Sequence, residues 1–164
     1  MIFVTVGTHE QQFNRLVDYM DKWAGDHDED VIIQTGFTKI RPVHCEYHEF
    51  YRYEDMERMI RKARIVITHG GPSSFMTALL NGKNPIVVPR KHSLREHVND
   101  HQLLFCTEFE QRQKNIIVVE DINRLGDVIE RYDEMVSGMT NRQFVSHNKE
   151  FCDAFSKIVD GICK

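Results

Sequence analysis

The chain has 164 residues, 41% of them hydrophobic, which suits one compact domain with a real core or one half of a larger machine. Its formal net charge of -4 lacks the basic excess of a nucleic-acid binder, so no nucleic-acid partner is expected. No run approaches the apolar length of a membrane span, and the start MIFVTVGTHE is too short in its apolar part to be a secretory leader.

In chain order, IFVTV (2–6) reads as a buried strand, and Phe13, Leu16, Val17 and Met20 mark a helix stripe. VIIQT (31–35) is a second strand, and VHCEYHEF (43–50) a weaker, alternating one. Met56, Met59, Ile60 and Ala63 mark the next helix. RIVIT (64–68), a short helix over 73–81, PIVVP (85–89), a helix over 97–109 and NIIVV (115–119) follow. Ile122, Leu125, Ile129 and Tyr132 mark a further helix. Phe144, Phe151, Phe155, Ile158 and Ile162 mark a long last one, set apart by VSGMTN (136–141). The strands are continuous Val/Ile runs alternating with helices. A Rossmann-like, doubly wound, mainly parallel α/β sheet covered on both faces is therefore expected, as one domain over 1–164. The cysteines Cys45, Cys106, Cys152 and Cys163 form no C-x-x-C pair and read as reduced thiols of a cytoplasmic chain.

Ligands of such sheets sit beyond the carboxyl ends of the strands, at a topological switch point. Three loops occupy that position. In THGGPSSFMT (68–77), Pro72 suits the first helical position, and Gly70 and Gly71 allow close approach. Ser73 and Ser74 add hydroxyls to a turn whose amides are free, beside a partial positive charge of roughly half a unit. Together they make an anion site, although an ordinary strand-to-helix turn uses the same residues. His69, at the strand's end, can donate to a phosphate or hold the loop through a backbone contact. In VGTHEQQ, Thr8 and Gln11 have capping-box spacing, Gly7 permits close approach, and His9 and Glu10 are candidate bases. In REHVNDHQ (95–102), Glu96, Asn99 and Asp100 fall on neighbouring helical positions beside His101 and Gln102. Carboxylates and amides so grouped suit sugar hydroxyls, and helix-dipole pairing is the plainer role for Glu96. His97 and His101 have i, i+4 spacing, but no third ligand accompanies them, and no metal is expected.

The ordered set FVTVGTH, ITHGGPSS, GKNPIVVPR and EHVNDHQ resembles the C-terminal, nucleotide-sugar-binding half of glycosyltransferase family 28. The resemblance runs from residue 1 to about 120. It is nearest to small stand-alone subunits. These include bacterial capsule and exopolysaccharide β-1,4-galactosyltransferase subunits, and the catalytic subunit of the eukaryotic dolichol-diphosphate N-acetylglucosamine transferase. It implies a GT-B half-domain that binds a UDP-sugar, needs no metal or other cofactor, and works with a membrane-anchored partner holding a lipid diphosphate-linked acceptor. The chain would then be cytoplasmic and peripheral at the membrane through that partner. By position, Gly70, Gly71, Ser73 and Ser74 would hold the diphosphate, the segment from Pro89 through Arg90 to His92 would lie beside the uracil, and Asp100, His101 and Gln102 would face the sugar. Where several relatives carry a ribose-gripping glutamate, this chain has Thr77, and Glu96 is the alternative grip. His9 is the candidate catalytic base, with the partner as the other source. The last apolar stripe either docks a partner or folds back on its own domain, the latter being favoured. A non-catalytic assisting subunit is the rival function. A dinucleotide oxidoreductase is disfavoured because no G-x-G-x-x-G follows the first strand.

Overall fold

Apolar runs without alternation need cover on both faces, and the central strands obtain it. In a computed structural model, which describes residues 1–139 and 148–162, six strands form one parallel sheet. They are β1 (Ile2–Thr5), β2 (Val31–Gln34), β3 (Glu46–His48), β4 (Ile65–His69), β5 (Ile86–Val88) and β6 (Ile117–Val118), in the order β3-β2-β1-β4-β5-β6. Every residue of β1, β4 and β5 is buried. The alternating run is β3, an edge strand with Glu46 and His48 exposed, which is why its pattern is the weak one.

The helices are α1 (Asn14–Gly25), α2 (Tyr53–Lys62), α3 (Pro72–Leu80), α4 (His101–Gln113), α5 (Leu125–Glu130), α6 (Tyr132–Ser137) and α7 (Asn148–Ile162). Alternate residues of β1 point to opposite faces. Ile2 and Val4 join Leu16, Val17 and Met20 of α1 and Leu125 and Ile129 of α5. Phe3 meets Ile60 of α2 and Ala78 of α3. Phe75 and Leu79 of α3 close over Val87 of β5 with Cys106 of α4. The chain runs β1, β2, β3 towards one edge, then crosses back to place β4 on the other side of β1. The switch point therefore lies between β1 and β4, and their carboxyl ends carry the first and second of the three loops singled out above.

Four local expectations are corrected. Thr8 and Gln11 form no capping box, because α1 starts only at Asn14, after Gly7 turns the chain at φ 77° and Gln11 donates its amide to His9 Nδ1. The helix expected from His97 starts at His101, and the segment before it, with Glu96, Asn99 and Asp100, is irregular. There the Glu96 carboxylate accepts from the Lys91 amide and Asp100 Oδ1 from the His92 amide, bonds that compete with helix. The helix after residue 121 is split into a 3-10 turn (Ile122–Arg124), α5 and α6. The last stripe does not fold back: every described side chain from Glu150 to Val159 is exposed, with Phe151 at 69% and Ile158 at 59%. Val136 and Ser137 of the expected 136–141 loop belong to the end of α6, while residues 140 and 141, Phe144 and the Ile162 side chain lie outside the described residues. Among the described cysteines, Cys45, Cys106 and Cys152 are free.

Phe13 anchors the start of α1. It is fully buried, its amide donates to Thr38 Oγ1 at 3.1 Å, and the Arg90 guanidinium lies 4.7 Å from its ring centroid. Phe13→Ala is expected to lower the unfolding free energy by about 3–5 kcal/mol, read by urea denaturation.

Candidate functional site

The carboxyl ends of β1, β2 and β4 floor a cavity of about 820 Å³, a size that takes a nucleotide-like ligand. Thr5 and Gln34 form the floor, joined by a hydrogen bond from Thr5 Oγ1 to Gln34 Oε1, while Gln34 Nε2 donates to the Gly7 carbonyl at 3.5 Å. One wall is Gly7, Thr8, His9 and Glu10 of the first loop. Another is His69, Ser73, Ser74 and Thr77, with Gln102 beyond. The third is apolar and aromatic: Tyr51, Tyr53, Met56 and Ile60, at and before α2.

The glycines act differently from the sequence expectation. A Cβ on Gly71 would lie 2.0 Å from His69 Cε1, and one on Gly7 would lie 2.1 Å from His69 Nε2. The two glycines make a slot for an imidazole, and Gly7 also lines the cavity. The ring fills the slot and accepts the Gly71 amide at Nδ1, 2.7 Å away. Nδ1 is therefore the acceptor, and Nε2–H faces Ser74 Oγ at 3.1 Å. The Ser74 hydroxyl receives that bond and keeps its own proton for the pocket. Gly70 is buried against Gln102 and Cys106 and, like Gly71, does not line the cavity. Ser74's amide turns back to the Gly71 carbonyl at 3.0 Å. At the second position of α3, the Ser73 amide has no helical partner and stays open with the two hydroxyls. Pro72 at the first position has no amide to satisfy. Thr77 lines the pocket, but its hydroxyl donates to the Ser73 carbonyl at 2.7 Å, so lone pairs are what it offers a ligand.

The third loop is mostly scaffold. Arg90 is 1% exposed and lies outside the cavity. Its Nη1 donates to the carbonyls of Gln11, Gln12 and Glu96, and its Nη2 to that of Val6, which ties the first loop to the third. The Glu96 carboxylate is engaged by Arg15 through two bonds of 2.9 Å, and Pro89 accepts from Arg15 at 3.0 Å. No free carboxylate is left at Glu96 for a ribose. His92, Asn99, Asp100 and His101 also lie outside the cavity. Asn99 Oδ1 accepts the His101 amide, and Asp100 accepts that of His92. Gln102 reaches the cavity while its Oε1 accepts the Arg90 amide at 3.3 Å. The structure thus gathers Gly7, Thr8, His9, His69, Ser73, Ser74, Thr77 and Gln102. It leaves out Gly70, Gly71, Pro89, Arg90, His92, Glu96, Asn99, Asp100 and His101. The wall missed in the sequence is Tyr51, Tyr53 and Met56, whose signal was two tyrosines directly after the weak edge strand. No group of three or more candidate metal ligands occurs among the described residues.

This architecture is matched over residues 1–159 by the glycosyltransferase family 28 C-terminal domain. The chain belongs to that family. Its fold is similar to that of spinosyn forosaminyltransferase SpnP, with a TM-score of 0.60 at 14% identity over 86% of this chain and 36% of that one. The glycotransferase of kitacinnamycin gives a TM-score of 0.50 at 16% identity, over 86% of this chain and 38% of that one. At these identities the likeness is one of fold, and the family 28 domain here spans little more than a third of either neighbour. No curated protein matches the sequence. Among the described residues no helix is long and apolar enough to cross a membrane.

Burial, then the positive charge of Arg90, drives the His69 pKa from 6.5 down to about 3. The unfolded chain takes up a proton near pH 6.5 that the folded one refuses until near 3. Its contribution to stability is therefore complete above that window and declines as pH falls through it, by up to ~1.4 kcal/mol per pH unit. His69→Gln is expected to flatten the stability–pH curve between those limits, measured by urea titration at several pH values. Gly71 has φ -72°, which alanine adopts freely, so Gly71→Ala tests the ring contact alone. A loss of about 1–3 kcal/mol is expected, and a smaller one in a His69→Ala background, by double-mutant unfolding.

Proposed function

We propose that this domain binds the donor UDP-sugar of a two-component glycosyltransferase and carries its donor-side chemistry. The supporting observation is one cavity that joins the start of α3, at Ser73 and Ser74, to an aromatic wall, at Tyr51 and Tyr53. The diphosphate sits at the start of α3, where the helix dipole and the Ser73 amide meet it. The base and ribose lie against Tyr51, Tyr53 and Met56, with Thr77 as an acceptor for a ribose hydroxyl. This assignment replaces the segment from Pro89 to His92 as the uracil neighbour.

Transfer breaks the bond between the anomeric carbon and the diphosphate, and negative charge grows on the leaving oxygen. Donors already fixed by the buried His69 slot meet that charge without reorganising, so they lower the barrier as well as bind. The donor sugar is galactose in this reading and the acceptor a lipid diphosphate-linked saccharide, with transfer inverting the anomeric centre, in capsule or exopolysaccharide synthesis. Both identities rest on the sequence resemblance. A membrane-anchored partner supplies the acceptor half and brings the domain to the membrane. Exposed apolar side chains at the carboxyl rim of the sheet, among them Phe37 at 49% and Phe50 at 46%, fit a surface that such a half covers.

UDP is expected to raise the melting temperature of the isolated chain, and NAD to leave it unchanged. Ser73→Ala is expected to weaken UDP binding about tenfold to a hundredfold by calorimetry, the loss of one charge-assisted hydrogen bond of about 1.5–3 kcal/mol. An unchanged melting temperature at millimolar UDP overturns the donor-binding reading.

A further inference from the structure

A general base must bring a free lone pair to the proton it removes. The titratable side chains that line the cavity are His9, Glu10, Tyr51, Tyr53 and His69. His69 is excluded because both of its nitrogens are engaged, Nδ1 with the Gly71 amide and Nε2 with Ser74 Oγ. His9 Nδ1 accepts the Gln11 amide at 3.1 Å, so its proton is on Nε2 and the neutral ring can only donate. Burial pushes the Tyr51 phenol up to about 12, and the Tyr53 hydroxyl donates to Glu57 Oε1 at 3.0 Å. Both phenols hold their protons at neutral pH.

Glu10 differs from these four. An ionised carboxylate carries acceptor lone pairs on both oxygens. No hydrogen bond or ion pair of the Glu10 carboxylate occurs among the described residues. The carboxylates of the third loop are engaged and do not line the cavity: Glu96 binds Arg15 and the Lys91 amide, and Asp100 accepts the His92 amide. Glu10 is exposed, where a second substrate can reach it. It also borders a second, polar hollow of about 520 Å³, shared with Gln11, Gln12, Arg15 and Arg95. The two hollows therefore adjoin at this residue. Its charge acts on the neighbouring His9 ring, where it opposes the lowering of the pKa by burial, Arg90 and His97.

We propose that Glu10 is the general base of the transfer and takes the proton of the acceptor hydroxyl. This rests on the cavity being the UDP-sugar site, and it moves the base from His9 to the next residue of the same loop. In the step, the acceptor O–H bond breaks and its proton goes to a carboxylate oxygen of Glu10. The acceptor oxygen forms its bond to the anomeric carbon. The bond from that carbon to the diphosphate oxygen breaks, and its electron pair stays on that oxygen. Glu10 then gives its proton to water. His9 presents Nε2–H to the diphosphate and is a donor, not a base. An anionic base repels the diphosphate, so removing its charge costs no donor affinity.

On the isolated chain, UDP binding is read by calorimetry. Glu10→Gln is expected to bind UDP at least as tightly as the parent, and His9→Gln about tenfold more weakly. Weaker binding in Glu10→Gln overturns the proposal, because it marks a carboxylate that grips a ribose hydroxyl. Turnover is read in membranes of cells in which the variant replaces the parent chain. The readout is labelled sugar passed to the lipid fraction from whichever of UDP-galactose and UDP-N-acetylglucosamine the parent uses. Glu10→Gln is expected to lower kcat by about 10²–10⁴-fold with no rise in the KM for the donor. Formate is expected to restore part of the turnover to Glu10→Ala, which a merely structural loss would not allow. Full turnover in Glu10→Gln, or no response of Glu10→Ala to formate, overturns the assignment alone. If UDP does not bind the parent chain, or the parent uses neither donor, the donor-site reading falls and this assignment with it.

Discussion

The guanidinium of Arg90 is buried between two loops and donates to four backbone carbonyls, those of Val6, Gln11, Gln12 and Glu96. Loops that border a cavity have few ladder partners, and their carbonyls must be satisfied some other way. Here one side chain does this for both the loop after β1 and the loop after β5. The same charge lies over Phe13, which starts α1, and lowers the pKa of both His9 and His69. Burial brings Arg90 itself down to about 10, still well above neutrality, and the Glu96 charge beside it opposes that shift. The tie is thus electrostatic and geometric together. It ties the two loops of the rim together and, after burial, adds to the downward pKa shifts of His9 and His69.

From that tie the rest of the site follows in layers. The strand order places β1 beside β4, so Gly7 and Gly71 face each other across His69. The ring in that slot fixes the direction of the Ser74 hydroxyl at the start of α3. Ser74 then shares the cavity with Tyr51 and with Tyr53 at the start of α2. A soft polar loop is held in place by a buried aromatic ring. Preorganisation of this kind makes hydrogen-bond donors effective toward developing charge.

The sheet, its parallel sense and the three loops were legible because continuous Val/Ile runs and Gly/Pro punctuation report directly on burial and turns. Side-chain roles were less legible, for identifiable reasons. Gly70 and Gly71 announce close approach but not what approaches, and the answer was the chain's own imidazole and the side chains of α4. Arg90 and Glu96 carry charges that suggest a ligand, yet each is neutralised or hydrogen-bonded by backbone or by a residue distant in sequence, such as Arg15. Thr8 has capping spacing, but the turn at Gly7 delays the helix past it. Tyr51 and Tyr53 follow a three-residue edge strand whose alternation is too short to mark the loop after it as part of the cavity. Which nitrogen of His9 bears a proton depends on the Gln11 amide two residues on, which residue type alone does not reveal.

The cavity is assembled from side chains spread between Thr5 and Gln102, with no two of its walls contiguous in the chain. On a ribosome β1 emerges first and has no neighbour on its β4 side until Ile65–His69 has been made, so its apolar residues wait uncovered through that interval. No fragment that stops short of Gln102 carries all the residues that line the cavity. A ligand of that cavity would therefore favour chains grown past Gln102 and draw them towards the folded state by mass action.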